Sequence, residues 1–283
     1  MFPRLIFEPE HEEFRATCRR FCREYVAPRA QGWRTQGWCD PEAFREAGSR
    51  GLLLTWADER HGGAGVPDFR FEQVLLEENV RHGEIGLYLT LHSRIVAPYI
   101  GRLGTEAQRA RFLPGCARGQ TILGIAMTEP GVGSDLASIR TRAERVGSGW
   151  RLNGQKTYIS NGQIGSLFVV AARVGGEREL GLFLVEGEMP GFRRGRRLEK
   201  IGLDAQDTSE LFFDGVFVSE DHVLGEPGHG LGYLKSFLAE ERLIAAVQSL
   251  AGAQVAWDET AGFVRERRAF GRSLTGFQNT RFR

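Results

Sequence analysis

Lysine is nearly missing from this chain of 283 residues: of its 37 basic side chains only Lys156, Lys200 and Lys235 are lysines. Charge chemistry does not require such an arginine bias, whereas GC-rich coding produces it, so a bacterial source is expected. Net charge is also nearly missing. At +1 the chain has no global field to draw nucleic acid or an acidic membrane. A nucleic-acid reader would further need a basic domain with interleaved stacking aromatics, and neither is present. No apolar run approaches the roughly 20 residues of a membrane span. Acidic Glu8, Glu10, Glu12 and Glu13 follow so closely on Met1 that no secretion or transit segment is legible. A cytoplasmic home is expected. Cysteine is scarce too. Cys18, Cys22, Cys39 and Cys116 include no CxxC pair and no histidine at ligand spacing, so free structural thiols and no metal are expected. The six histidines pair with no nucleophile in a recognisable order, which leaves hydrolase chemistry unsupported.

What is present is an ordinary globular composition, 41% hydrophobic and 26% charged, with length for one large domain or two to three smaller ones. Three blocks follow from the periodicity. Residues 1–120 read as a helical domain: Phe14, Cys18, Phe21, Cys22 and Tyr25 recur at helical spacing, Pro28 and the stretch 31–38 are expected to break that helix, and Thr105 with Gln108 has capping-box spacing. Residues 121–225 switch to strand period. A hairpin is expected around 147–149, with strands at 157–160, 167–174 and 180–185, then 209–218 turning at Asp214-Gly215. Short strands with little helix between them suggest a small antiparallel barrel or sandwich. Residues 226–283 read as one long helix from Gly230 almost to Gly271, without partner helices of its own. The fold class is therefore α+β.

Four segments together resemble the acyl-CoA dehydrogenase family: AMTEPGVGSD (126–135), NGQKTYISNG (153–162), EKIGLDAQDTSELFFDGVFV (199–218) and RERRAFGRSLTGFQ (265–278). Each alone is a weak motif, but their shared order and spacing are specific. AQDTSELFF and AEERLIAA resemble the long-chain branch most. The resemblance implies a helical N-terminal domain, a β-barrel middle domain and a C-terminal helical bundle, of which this chain contains an incomplete part.

It also implies FAD as cofactor, an acyl-CoA thioester as substrate, an electron-transferring flavoprotein as partner and a homo-oligomer, a tetramer in the family. On the matching positions, backbone groups of Ala126 and Met127 and the Thr128 hydroxyl face the flavin, and Ser134 reaches the pyrophosphate and the substrate. Tyr158 packs on the ring and Ser160 bonds N5, the hydride acceptor. Arg267 and Gln278 hold the FAD of a neighbouring subunit. Tyr88, Leu89 and His92 are candidates for the acyl pocket, with a core histidine an equal reading of His92, and Arg242 meets the substrate. Glycines that admit phosphate to backbone N–H groups suit such a loop.

The implied reaction is α,β-dehydrogenation to the trans-2-enoyl thioester, with Glu241 as base. Glu241 has Phe237, Leu238, Ile244 and Ala245 as helical neighbours, an apolar stripe that raises a carboxylate pKa. Glu240, with Ser236 on its side, is expected to face solvent. Residues 193–197 hold four arginines, expected to be a solvated strand face rather than a CoA phosphate site. Two other readings stay open: a non-catalytic homologue that binds acyl-CoA or a partner subunit, and a flavin oxidase of the same fold.

Overall fold

The computed structural model describes residues 4–176 and 178–282. The first helix, α1 (Pro9–Phe21), does not stop where Pro28 was expected to end it. One π-helical turn (Cys22–Val26) carries it into α2 (Ala27–Gln36), which ends at Gly37 with φ 89°. The wider turn and the position of Pro28 in the first turn of α2 spare the helix the clash and missing donor of an interior proline. There follow α3 (Glu42–Ser49) and α4 (Phe69–His82), then a second π turn (Leu91–Val96) leading into α5 (Ala97–Leu103). The last helix of the block, α6 (Glu106–Ala117), opens with the expected capping box of Thr105 and Gln108. Cys18, Cys22, Cys39 and Cys116 are all free and buried.

The middle block is a single eight-stranded sheet: β1 (Leu123–Ala126), β2 (Arg142–Val146), β3 (Gly149–Ser160), β4 (Leu167–Arg173), β5 (Leu180–Glu186), β6 (Phe192–Arg197), β7 (Thr208–Ser219) and β8 (Val223–Gly228). The order is β6-β7-β3-β2-β4-β5-β8, with β1 added parallel to β4. Asp214-Gly215 is not a hairpin turn, because β7 runs straight through it. The pairing of β3 with β7 slips between Leu152 and Gly154, and Gly215 (φ 64°) donates its N–H to Asn153 Oδ1 at 2.8 Å. The glycine signals a bulge, where an extra residue bends a long strand. The sheet continues to Gly228, past the expected boundary at 225, and α7 (Gly230–Glu266) begins two residues later.

One core joins the helical block to β1, β4 and β5 and to the first half of α7, through residues such as Leu123, Leu182, Leu234, Phe237 and Ile244. Beyond Val247, α7 leaves that core, and Leu250, Trp257 and Phe263 are 60 to 68% exposed. The chain then forms a short hairpin, β9 (Arg268–Ala269) with β10 (Arg272–Ser273), and α8 (Gln278–Phe282). No helix among the described residues is long and apolar enough to cross a membrane.

Candidate active site

The π turn Leu91–Val96 touches both β1 and α7, and so brings two groups of residues to one region. His92 makes the first connection. Its Nδ1 accepts from Leu123 N–H at 3.2 Å, and its Nε2 lies 3.0 Å from the Cys116 carbonyl. Both ring nitrogens are used and the side chain is fully buried, with the pKa lowered to about 4 by that burial. His92 is therefore a neutral core histidine that ties helix to strand, one of the two places expected for it. Leu89 is buried, whereas Tyr88 is half-buried.

The strand side begins where β1 ends. Ala126 is buried in the sheet core, and Met127 and Thr128 are half-buried. The Met127 carbonyl accepts from Lys156 Nζ at 3.0 Å, and the Thr128 carbonyl from Thr157 N–H at 2.9 Å. Lys156 also bonds Glu129 Oε1 at 2.9 Å, and Glu129 accepts the backbone N–H groups of Arg140 and Thr141. This buried pair closes the loop 129–141 on β3 and leaves Ser134 exposed. Burial lowers the Lys156 pKa to about 8 against the pull of Glu129. For Glu129 burial works upward, yet the ammonium and the N–H donors hold it below its usual range. Sequence reasoning missed the pair, although a lysine in so arginine-rich a chain was a signal.

Tyr158 sits at a second bulge. The register of β3 with β7 shifts between Lys156 and Ile159, so one extra residue stands on β3. That residue takes φ 58° and its ring is 67% exposed, between buried Thr157 and Ile159. A left-handed tyrosine costs about 1–2 kcal/mol, and an exposed aromatic in a sheet otherwise buried here gains nothing from the core. The strain presents a flat apolar ring to whatever lies outside. Ser160, half-buried, follows opposite Thr208. Asn161, also left-handed at φ 57°, is buried and donates to the Leu123 carbonyl at 3.0 Å. Exposed Tyr158, half-exposed Thr128 and the open loop with Ser134 are a donor set and a stacking face that fit a flavin and its phosphates.

On the helix side Glu241 is half-buried on α7. Tyr99 Oη donates to its Oε1 at 3.3 Å, and the Tyr99 ring stacks on Phe237 with centroids 4.1 Å apart. Burial raises the Glu241 pKa above the usual carboxylate value, with Tyr99 opposing. Glu240 does not face open solvent as expected. It lies 2.5 Å from Arg94 and 2.9 Å from Arg102, both on the N-terminal block. Arg242 is exposed. Of the arginines of β6, Arg193, Arg196 and Arg197 are exposed as expected, and Arg194 is half-buried and donates to the Gly165 carbonyl. Arg267 and Gln278 are exposed beyond the far end of α7. At 1.5 Å per residue, Arg267 stands roughly 40 Å along the axis from Glu241.

Three family models match the chain: acyl-CoA dehydrogenase N-terminal domain over residues 8–120, middle domain over 124–216 and C-terminal domain over 228–283. The chain belongs to the acyl-CoA dehydrogenase family. The mitochondrial long-chain specific acyl-CoA dehydrogenase of Mus musculus is 41% identical over 280 residues, which are 97% of this chain and 65% of that protein. The chain thus spans just under two thirds of that relative's length. An acyl-CoA dehydrogenase from Geobacillus kaustophilus superposes with a TM-score of 0.95 at 40% identity, covering 99% of this chain and 75% of that one. A glutaryl-CoA dehydrogenase from Mycobacterium smegmatis, solved in complex with FADH2, superposes at 0.88 with 29% identity, covering 98% and 70%. Membership in the acyl-CoA dehydrogenase family accounts for all three blocks, and for the four motifs lying on β1, β3, β7 and the end of α7.

Proposed function

We propose that this chain carries the flavin edge and the base of an FAD-dependent acyl-CoA dehydrogenase that converts an acyl-CoA thioester to its trans-2-enoyl product. The observation that carries the reading is the setting of Glu241: a half-buried carboxylate, away from the arginines that neutralise Glu240, with a raised pKa. A carboxylate whose pKa lies nearer neutrality takes a weakly acidic proton more effectively. Bound FAD would supply the hydride acceptor at N5. Glu241 removes the α-proton, Tyr99 holds the carboxylate in orientation, and Tyr158 packs against the ring while excluding water. The resemblance adds Ala126, Met127, Thr128 and Ser160 along the flavin edge, with Ser134 and Arg242 toward pyrophosphate and CoA and Tyr88 and Leu89 beside the acyl group.

Arg267 and Gln278 cannot reach the same site within one chain, given the length of α7, and in this reading they serve FAD in a second copy. The exposed apolar residues of α7 are the surface a homotetramer would cover. Electrons would pass to an electron-transferring flavoprotein. Four buried free thiols suit a reducing compartment, the cytoplasm in our reading. The same exposed α7 residues favour a second reading, a non-catalytic chain that binds acyl-CoA or a partner subunit. An absorption spectrum separates the two. Anaerobic addition of a medium-to-long acyl-CoA should bleach the FAD-loaded protein, whereas a chain that stays colourless with added FAD supports the second reading.

A further inference from the structure

Three residues on one turn of α7 are held by three residues of the helical block. Phe237 stacks on Tyr99 and lies 5.1 Å from the Arg102 guanidinium, Glu241 accepts from Tyr99, and Glu240 is paired with Arg94 at 2.5 Å and Arg102 at 2.9 Å. The side chains of Arg94 and Glu240 are only 10% and 19% exposed, so salt screens this pair little. Among the described residues the other ion pair between α7 and the helical block, Arg81 with Asp258 at 2.7 Å, lies about five turns further along the helix. Glu240 is thus the charged anchor of α7 next to Glu241. Arg94 stands on the π turn Leu91–Val96, two residues from His92, whose Nδ1 accepts from the Leu123 N–H at the start of β1. One turn therefore grips α7 through Arg94 and, through His92, the strand that leads to Ala126 and Met127.

We propose that Glu240 is a positioning residue for the base: clamped between Arg94 and Arg102, it fixes the rotation of α7 and, through the π turn, the place of Glu241 relative to the end of β1. This rests on the acyl-CoA dehydrogenase reading given above. In that reading the α-proton leaves to Glu241 and the β-hydrogen to the flavin, from adjacent carbons, so the two acceptors must be set against each other. A misplacement of about 1 Å in such a pair costs roughly a hundredfold in rate. Consecutive helix positions are about 100° apart, so a turn of α7 that releases Glu240 also swings Glu241 away from Tyr99. A little-exposed ion pair often adds no net stability, and fixing register is the best-attested use of one. Glu240 itself touches neither thioester nor flavin, and acts on the rate of the bound complex.

The test is anaerobic stopped-flow reduction of the FAD-loaded full chain by increasing dodecanoyl-CoA, with rates counted per bound flavin. E240Q keeps the side-chain length and loses the charge. Its saturating rate should fall about ten- to a hundredfold while the half-saturating concentration stays within about twofold of the parent. R94M should lose less, because Arg102 still holds Glu240, and R94M with E240Q should be no slower than E240Q alone, as residues acting through one clamp require. A saturating rate that E240Q leaves unchanged, a loss seen only as weaker half-saturation, or losses that multiply in the double variant overturn the proposal and leave the dehydrogenase reading standing. Should E240Q not retain flavin, the saturating rate of R94M decides, a value equal to the parent's overturning the proposal. Loss of flavin from both makes the clamp a folding element and overturns it too. A parent chain that does not bleach overturns the dehydrogenase reading along with it.

Discussion

Glu240 and Glu241 are consecutive residues of α7, yet Glu240 lies within 2.9 Å of two arginines while Glu241 is held by the hydroxyl of Tyr99. Successive helix positions point about 100° apart, which is enough to send one carboxylate to a cationic wall and the other to an apolar one. The pair illustrates how one helix places a neutralised acid and one with a raised pKa side by side.

In the proposed reaction Tyr99 sets the pH at which Glu241 works as base. Its hydroxyl donates to ionised Glu241 and so opposes the upward shift caused by burial. The base acts when ionised, so bleaching by acyl-CoA should speed up as pH rises through a midpoint above the ordinary carboxylate value. Tyr99→Phe removes the donor and should move that midpoint to still higher pH. Stopped-flow rates against pH, in parent and variant, check this; a midpoint that falls in Y99F would contradict it.

The Lys156–Glu129 pair should behave as a structural clasp for the flavin loop. Replacing Lys156 by Met leaves a buried carboxylate with only its two backbone donors, and should cost about 3–5 kcal/mol. Glu129→Ala should cost more, since it strands the ammonium and the N–H groups of Arg140 and Thr141 together. The lysine also has a pH signature. It titrates at about 8 when folded against an ordinary 10.5. Between those values the unfolded chain holds more protons, so this residue's contribution to stability rises with pH. Denaturation midpoints across that window should lose this slope in K156M.

Tyr158 should trade stability for binding. Glycine adopts φ 58° without strain, and the exposed ring contributes little to the core. Tyr158→Gly is expected to stabilise the chain by about 1 kcal/mol while weakening retention of FAD. Thermal melting and flavin titration of the same preparation check both halves. A variant that melts lower than the parent would mean the ring is packed and not presented.

Much of this was legible in the residues. The three blocks, the capping box at Thr105 and the raised pKa of Glu241 follow from periodicity and neighbouring side chains. The errors share a cause, because local signals were taken without their tertiary partners. Pro28 reads as a helix break until a π turn accommodates it. Asp214-Gly215 reads as a turn until β7 is seen to bulge there against β3. Glu240 looks exposed from Ser236 alone, since Arg94 and Arg102 are distant in sequence. For His92 a pocket place and a core place stayed open, because nothing local reveals that Leu123 and Cys116 occupy both its nitrogens.

The most direct test of the account is anaerobic addition of a medium-to-long acyl-CoA to the FAD-loaded chain, in the parent and in Glu241→Gln. The parent should bleach, and E241Q should keep its flavin and remain yellow, with a rate lower by at least about two orders of magnitude. If E241Q bleaches at the parent rate, Glu241 is not the base and the assignment of this site is wrong.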